Sequence, residues 1–115
     1  MKVDYVYAAV SSADLERAEA FYSKVLGRKA DDRPMESLIQ WRDIAGAGIQ
    51  VFADRGKAGH GAMTLVVPNA ARLKVALEAA GYACGEVHAG DFGRIVQVSD
   101  PDGNVVTFAE PPRQV

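Results

Sequence analysis

The chain has 115 residues, of which 49% are hydrophobic, and this is enough for a single domain with a buried core. Thirteen basic and fifteen acidic residues give a formal charge of −2, and no basic block occurs, so the composition argues against a nucleic-acid partner. The apolar run at residues 5–10 is too short to span a membrane or to act as a signal peptide, which predicts a cytoplasmic protein without membrane contact. Cys84 is the only cysteine, which excludes an intrachain disulfide and an all-cysteine metal site.

The first half of the chain has the pattern of a strand and a helix followed by three more strands. The predicted elements are a strand at 3–10, a helix at 15–26, and strands at 29–33, 37–43 and 48–52. The helix has three possible N-caps, Ser11, Ser12 and Asp14, and it is expected to stop at Gly27. Pro34 is expected to separate the second strand from the third.

The second half repeats this order after a glycine-rich stretch at residues 54–61, which is interpreted as a mobile joint. The predicted elements are a strand at 62–67, a helix that is capped by Pro68-Asn69 and ends at Gly81, and strands at 86–89, 93–99 and 104–109.

An offset of 57 residues relates the two halves. It relates Asp43 to Asp100, within the turn sequences Asp-Ile-Ala-Gly and Asp-Pro-Asp-Gly-Asn, and it also relates Gln40 to Gln97. Aspartate, proline and glycine in this order favour a tight chain reversal. The sequence therefore predicts two copies of one strand-helix-strand-strand-strand unit.

The alternation of side chains along the strands gives the predicted sheet two different faces. One face is apolar and is expected to lie under the helices; it includes Val10, Val51, Leu65 and Phe108. The other face mixes rings, hydroxyls and an amide, and it carries Tyr5, Tyr7, Gln50, Phe52, Ala62, Thr64, Val105 and Thr107. A sheet with helices on one side and a half-apolar second face is expected to curl around a small molecule.

The helix sequence at residues 14–27 and the turn and strand at residues 100–108 resemble the two signature stretches of the vicinal oxygen chelate superfamily. That superfamily includes glyoxalase I, the bleomycin-resistance proteins and the extradiol dioxygenases. The resemblance implies an α+β fold in which paired βαβββ modules form a curved, incompletely closed eight-stranded sheet with helices on the outer face. It implies a single domain over 1–115, with module one at 1–53, a joint at 54–61, module two at 62–110 and a tail at 111–115. It also implies a homodimer.

The metal-using members of this superfamily place one ligand in the first strand and one in the last strand of each module. The resemblance carries these positions to Tyr5, Gln50, Ala62 and Thr107, and only Gln50 is a ready metal ligand there. We therefore predict no metal and no other cofactor. The predicted function is that of a metal-free small-molecule-binding protein similar to the bleomycin-resistance branch, which sequesters an aromatic or amphipathic compound.

Nine residues are predicted to bind the ligand. The rings of Tyr5, Tyr7, Trp41, Phe52 and Phe92 are expected to stack on it, Gln50, Thr64 and Thr107 to orient it by hydrogen bonds, and Arg94 to contact an anionic group.

Three alternatives remain open at the level of sequence. The first is an enzyme with a displaced metal site at His60 and Gln50, or with acid–base chemistry at a tyrosine or at His88. The second is a cup filled by its own side chains, in which case the chain is a dimeric interaction module. The third concerns assembly, since the two modules can pair within one chain or across a swapped dimer.

Overall fold

The structure of the protein is a computed structural model that describes residues 1–112. Within it the chain forms two compact units, one of residues 1–61 with 100–104, and one that begins with residues 62–99 and continues from residue 105. Of the predicted tail at 111–115, residues 113–115 lie outside the described residues. Within the described chain, neither helix has the length and apolar character of a membrane span.

The first unit contains one helix and a four-stranded sheet. Its elements are β1 (Tyr7–Ser12), α1 (Leu15–Leu26), β2 (Asp32–Met35), β3 (Leu38–Ile44) and β4 (Ala47–Ala53). The strand order is β1-β4-β3-β2, with β1 parallel to β4 and the other neighbours antiparallel.

The second unit repeats this topology. Its elements are β5 (Ala62–Val66), α2 (Ala70–Ala79), β6 (His88–Gly90), β7 (Gly93–Ser99) and β8 (Val105–Glu110), and the strand order is β5-β8-β7-β6. The predicted α+β fold of paired βαβββ modules is confirmed. Its eight strands are divided between two four-stranded sheets, and the part of the chain that the structure describes contains no closed barrel.

Both helices begin at a side-chain cap that the sequence offers. The Asp14 side chain accepts a hydrogen bond from the backbone N–H of Arg17 at 3.2 Å, so Asp14 is the N-cap of α1 among the three candidates. Gly27 ends this helix with a left-handed φ of 76°, as predicted. Asn69 caps α2 in the same way as Asp14 caps α1, because its side chain accepts from the backbone of Arg72 at 3.0 Å.

Three strands, β1, β2 and β6, begin at least two residues later than their sequence pattern suggests. β1 starts at Tyr7 instead of residue 3, and the side chain of Val6 before it is 61% exposed. β2 includes Pro34, although proline was expected to end the strand before it. This is possible because β2 is the edge strand of its sheet. Proline has no backbone N–H, and on the open side of an edge strand no neighbouring strand needs one.

The apolar face of each sheet lies under its helix, as the alternation predicted. In the first unit the side chains of Phe21, Tyr22 and Trp41 are fully buried between α1 and the sheet, and burying one such ring contributes roughly 2–3 kcal/mol. The buried apolar strand residues on the helix side of the two sheets are Val10, Ile39, Trp41, Ile49, Val51, Met63, Val96, Val98, Val106 and Phe108.

The turn at residues 100–104 belongs to the first unit and forms a buried polar network there. The carboxylate of Asp100, whose residue is only 4% exposed, accepts hydrogen bonds from the Tyr22 hydroxyl at 2.6 Å and from the backbone N–H groups of Asp102 and Asn104, both at 2.9 Å. The Asn104 amide donates to Asp100 at 2.8 Å and to the backbone oxygen of Ser11 at 2.9 Å. The turn is therefore part of the core of this unit.

The strand registers change the predicted relation between the two copies. Gln50 lies opposite Ala9 in the first sheet, and Thr107 lies opposite Thr64 in the second. The last strands therefore keep the 57-residue offset, but the first strands are related by an offset of 55. A 57-residue offset would make Tyr5 the counterpart of Ala62, but the registers give this place to Tyr7. The offset fails there because the second unit has two extra residues after its helix N-cap, and a single offset does not detect an insertion.

Candidate functional site

The first sheet has a side that α1 does not cover, and the strand registers define which residues lie on it. Tyr7 pairs with Gly48, and Gln50 pairs with Gln40 on one side and with Ala9 on the other. Paired residues point to the same face of a sheet, and every second residue along a strand joins them. We call this surface the helix-free face of the first sheet; it carries Tyr7, Ala9, Ser11, Leu38, Gln40, Gln50 and Phe52.

Two glutamines form the polar centre of this face. The Gln50 side-chain amide donates a hydrogen bond to the Gln40 side-chain oxygen at 3.1 Å, and Gln40 is only 8% exposed. Each amide carries an NH2 group and a carbonyl oxygen, so one whole NH2 group and one carbonyl oxygen stay without a partner whichever glutamine donates. Sequence analysis missed Gln40 as a site residue, although its 57-residue relation to Gln97 was visible.

The two tyrosines near the start of the chain have different roles. The Tyr5 hydroxyl donates to the backbone oxygen of Ala47 at 2.7 Å and accepts from the backbone N–H of Asp43. It thereby ties together the two ends of the β3–β4 turn, where Asp43 adopts a left-handed φ of 57°. The Tyr7 ring lies 4.9 Å from the Tyr5 ring, but its hydroxyl makes no hydrogen bond within the described chain.

The Tyr7 ring covers Gly48 on the neighbouring strand. A Cβ atom at Gly48 would lie 2.5 Å from the ring, closer than two carbon atoms can approach. Glycine at this position therefore allows the ring to lie against the backbone of the sheet, with its hydroxyl left for another partner.

Trp41 does not lie on this face. It alternates with Gln40 along β3, its side chain is fully buried, and its ring nitrogen donates to the backbone oxygen of Arg28 at 3.0 Å. Its ring centre is 6.2 Å from that of Tyr22, which places it under α1. The structure thus puts Trp41 in the core, on the opposite side of the sheet from Gln50.

His60 and Gln50, the residues of the alternative metal site, take part in different arrangements. His60 lines a recess of about 370 Å³ beside β1, whereas the Gln50 amide contacts Gln40. The recess is lined by Ala9, Val10, Ser11, Gly56, Lys57, His60 and Gly61. Over residues 1–112, no three histidine, cysteine, aspartate or glutamate side chains come together as a possible metal site.

The second sheet carries a related but more polar row of residues. Thr64 lies beside Thr107, and the Gln97 amide donates to the Thr107 hydroxyl at 3.2 Å. Thr64 and Gln97 are exposed. This row occupies the place in the second unit that Ala9, Gln50 and Gln40 occupy in the first.

The two other predicted site residues of the second unit lie away from that row. Arg94 is aligned with Glu110, whose carboxylate accepts from the backbone N–H of Ala70 at 2.9 Å; both residues therefore lie on the helix side of the sheet. Phe92 is 55% exposed in the turn between β6 and β7, where its ring packs against Gly90. Arg94 therefore lies on the opposite side of the sheet from Thr107, whereas the Phe92 ring covers Gly90 at the far end of the face that carries Thr107.

Burial alters the acidity of two groups outside the helix-free face. Burial and the hydrogen bond to the Asp100 carboxylate raise the pKa of the Tyr22 hydroxyl far above its ordinary value, so the hydroxyl remains a proton donor. Burial, with a contribution from the charge of Glu78, raises the pKa of the Cys84 thiol. A raised pKa lowers the thiolate fraction, which argues against Cys84 as a nucleophile.

Comparison with solved structures gives extensive matches. A glyoxalase/bleomycin resistance protein from Catenulispora acidiphila is 27% identical with a TM-score of 0.81, covering 94% of this chain and 98% of its own. An antibiotic-binding protein from a Streptomyces species is 23% identical with a TM-score of 0.83, covering 97% and 99%. A bleomycin-binding protein in complex with bleomycin is 15% identical with a TM-score of 0.75, covering 96% and 100%.

No protein-family model matches the sequence, and none of the curated proteins compared matches it. The structural matches span almost the whole chain, and their fold agrees with the paired βαβββ modules. The predicted resemblance is confirmed, and the chain has the fold of the vicinal oxygen chelate superfamily.

Proposed function

We propose that this protein binds a small aromatic or amphipathic molecule on the helix-free face of the first sheet, without a metal ion. The observation that carries the proposal is the Gln40–Gln50 pair, which leaves one amide NH2 group and one carbonyl oxygen without a partner on a largely apolar surface. The Tyr7 hydroxyl adds a third polar group without a partner in the described chain. A few oriented polar groups within apolar walls are typical of small-molecule sites.

The apolar part of the site would come from Tyr7 and Phe52, which are both partly exposed. A ring that stacks on an aromatic side chain gains about 0.5–1.5 kcal/mol beyond the burial of its area. A hydrogen bond to the glutamine pair would add about 0.5–1.5 kcal/mol. These contributions favour a planar ligand that carries both a donor and an acceptor, such as an amide.

The chemistry of the face supports binding without a metal. Its polar groups are two neutral amides, a serine hydroxyl and a phenol, whereas divalent cations are usually held in proteins by several carboxylates or imidazoles. Structural neighbours that bind bleomycin or another antibiotic support sequestration as the biological role.

Calorimetry with bleomycin and with 2-naphthamide, a planar primary amide, tests the proposal. We expect Phe52→Ala to weaken binding by about 1–3 kcal/mol, because it removes a large apolar contact. Phe92→Ala is the matched control, since this ring is exposed in a turn of the second unit. Unchanged affinity in Phe52→Ala, or a stoichiometric zinc or nickel ion that Gln50→Ala releases, would contradict the proposal.

We also propose that Thr64 and Thr107 form a second polar contact surface. We propose in addition that the protein is a cytoplasmic homodimer that binds neither nucleic acid nor membranes. The threonine pair and the neighbouring Gln97 supply donors and acceptors on an exposed sheet face. Thr107→Val would lower the affinity for 2-naphthamide if this surface takes part in binding. Sedimentation equilibrium would distinguish the dimer from a monomer.

A further inference from the structure

A basic loop, defined as residues 54–61, borders the first sheet and forms one wall of the 370 Å³ recess. Its charged and titratable side chains are Asp54, Arg55, Lys57 and His60. Lys57 and His60 both line the recess. Neither Arg55 nor Lys57 forms an ion pair within the described chain, so the positive charge of the loop is not neutralised by a salt bridge.

The one acidic side chain of the basic loop is already engaged. The Asp54 carboxylate accepts a hydrogen bond from the backbone N–H of Gly56 at 3.0 Å. Ser11 also lines the recess, and its hydroxyl has no hydrogen-bond partner among residues 1–112. The recess therefore offers an ammonium group, an imidazole and a hydroxyl, all of which can donate to an anion.

The basic loop is anchored at both ends, which fixes the recess in place. The backbone N–H of Asp54 donates to the backbone oxygen of Ser12 at 3.0 Å, at the end of β1. The N–H of Gly61 donates to the Asn104 side-chain oxygen at 2.8 Å, in the buried turn of the same unit. A preformed recess binds without a large ordering cost.

The recess adjoins the helix-free face of the first sheet. Two of its lining residues, Ala9 and Ser11, lie on that face, where Ala9 pairs with Gln50 and Ser11 pairs with Phe52. For a molecule that contacts Gln50 and Phe52 on β4, only the neighbouring strand β1 therefore lies between it and the basic loop.

We infer that the recess binds an anionic group of the ligand, and that the molecules taken by this protein are aromatic compounds with a carboxylate, sulfonate or phosphate. The inference rests on the proposed function, since it assigns a chemical class to the ligand of the same face. Lys57 supplies the charge, and His60 and Ser11 supply hydrogen-bond donors. The binding of such a ligand weakens as the salt concentration rises, because salt screens exposed charges.

Three probes separate the parts of this inference: sulfate for the recess alone, 2-naphthamide for the face alone, and 2-naphthoate for both. Calorimetry gives the affinities of the naphthalene compounds, and backbone NMR shifts of Gly56, Gly59 and Gly61 report sulfate. We expect 2-naphthoate to bind more tightly than 2-naphthamide. Lys57→Gln should reduce the affinity for 2-naphthoate about fivefold, near the upper end for a solvent-exposed charge pair, and leave the affinity for 2-naphthamide unchanged.

Lys24→Gln is the matched control, because it removes the same charge from the exposed surface of α1, on the helix side of the sheet. Equal affinity for the two naphthalene compounds, unaffected by Lys57→Gln, would overturn the inference and leave the proposed function intact. Sulfate shifts that Lys57→Gln abolishes, together with no binding of either naphthalene compound, would support the anion recess and count against the aromatic site. No sulfate shifts and no preference for 2-naphthoate would overturn the recess.

Discussion

The two faces of the first sheet both carry polar side chains, but they differ in how those groups are satisfied. On the helix side, Tyr22, Asp100 and Asn104 donate to and accept from each other and the backbone, in a fully buried network. On the helix-free face, Gln40 and Gln50 bond to each other and leave one NH2 group and one carbonyl oxygen without a partner.

This difference separates groups that stabilise the fold from groups that are available for recognition. A buried polar group without a partner costs about 1–3 kcal/mol, so removing one member of the network on the helix side should destabilise the unit. Water can satisfy the free groups of the helix-free face until a ligand replaces it. Substitutions on the helix side should therefore change stability, and substitutions on the helix-free face should change binding.

The largest expected effect is that of Asp100→Ala. It leaves the Tyr22 hydroxyl, two backbone N–H groups and the Asn104 amide short of an acceptor, and we expect a loss of about 3–5 kcal/mol in the free energy of unfolding. Urea denaturation measures it, with Asp54→Ala as the control because that carboxylate is exposed and accepts a single backbone bond. Equal losses in the two variants would contradict the role of the turn as a core element.

Tyr22→Phe should destabilise the protein by about 2 kcal/mol at neutral pH, because it removes one donor to a buried carboxylate. The pH dependence provides a second test. In the unfolded chain the Tyr22 hydroxyl ionises near pH 10, whereas its pKa in the folded protein is raised by burial. Its stabilising contribution is thus complete below about pH 10 and falls as the pH rises further.

Tyr22→Phe should remove this fall, which amounts to at most about 1.4 kcal/mol per pH unit. The measurement is the unfolding free energy of both proteins between pH 8 and 11. Parallel pH profiles for the wild type and the variant would show that the hydroxyl ionises equally in the folded and unfolded states.

Gln50→Ala tests whether the polar groups of the helix-free face serve binding instead of stability. We expect it to weaken 2-naphthamide binding by about 1 kcal/mol and to lower stability by no more than that, because the hydrogen bond it removes joins two neutral side chains and is only partly buried. Titration calorimetry and urea denaturation of the same protein sample measure both quantities. A large loss of stability without a change in affinity would mean that the glutamine pair is structural.

The smallest expected effects are the changes in stability on removing the hydroxyls of Tyr5 and Tyr7, two neighbouring rings with different roles. Tyr5→Phe should cost about 1 kcal/mol of stability, because the hydroxyl bonds to both ends of the β3–β4 turn. Tyr7→Phe should leave stability unchanged within a few tenths of a kcal/mol, since its hydroxyl has no partner within residues 1–112. Thermal denaturation of both variants compares them directly, and equal shifts would contradict the separate roles.

The sequence by itself determined the elements whose signals are local. The side chain of Asp14 and the left-handed residue Gly27 define α1 because a cap acts within one helical turn. Alternation along single strands placed Gln50 and Phe52 opposite Val51 and the other core residues, since successive side chains point to opposite faces. These features, with the turn at 100–104, were enough to predict the paired modules.

Only the tertiary structure decided how residues distant in sequence meet. β3 carries apolar residues on both faces, so alternation did not indicate that Trp41 lies in the core and Gln40 beside Gln50. The helix-side position of Arg94 likewise depends on its pairing with Glu110 in another strand. The physical reason is register: a shift of one residue moves every side chain to the other face, and register is set by contacts between strands instead of by the composition of either one.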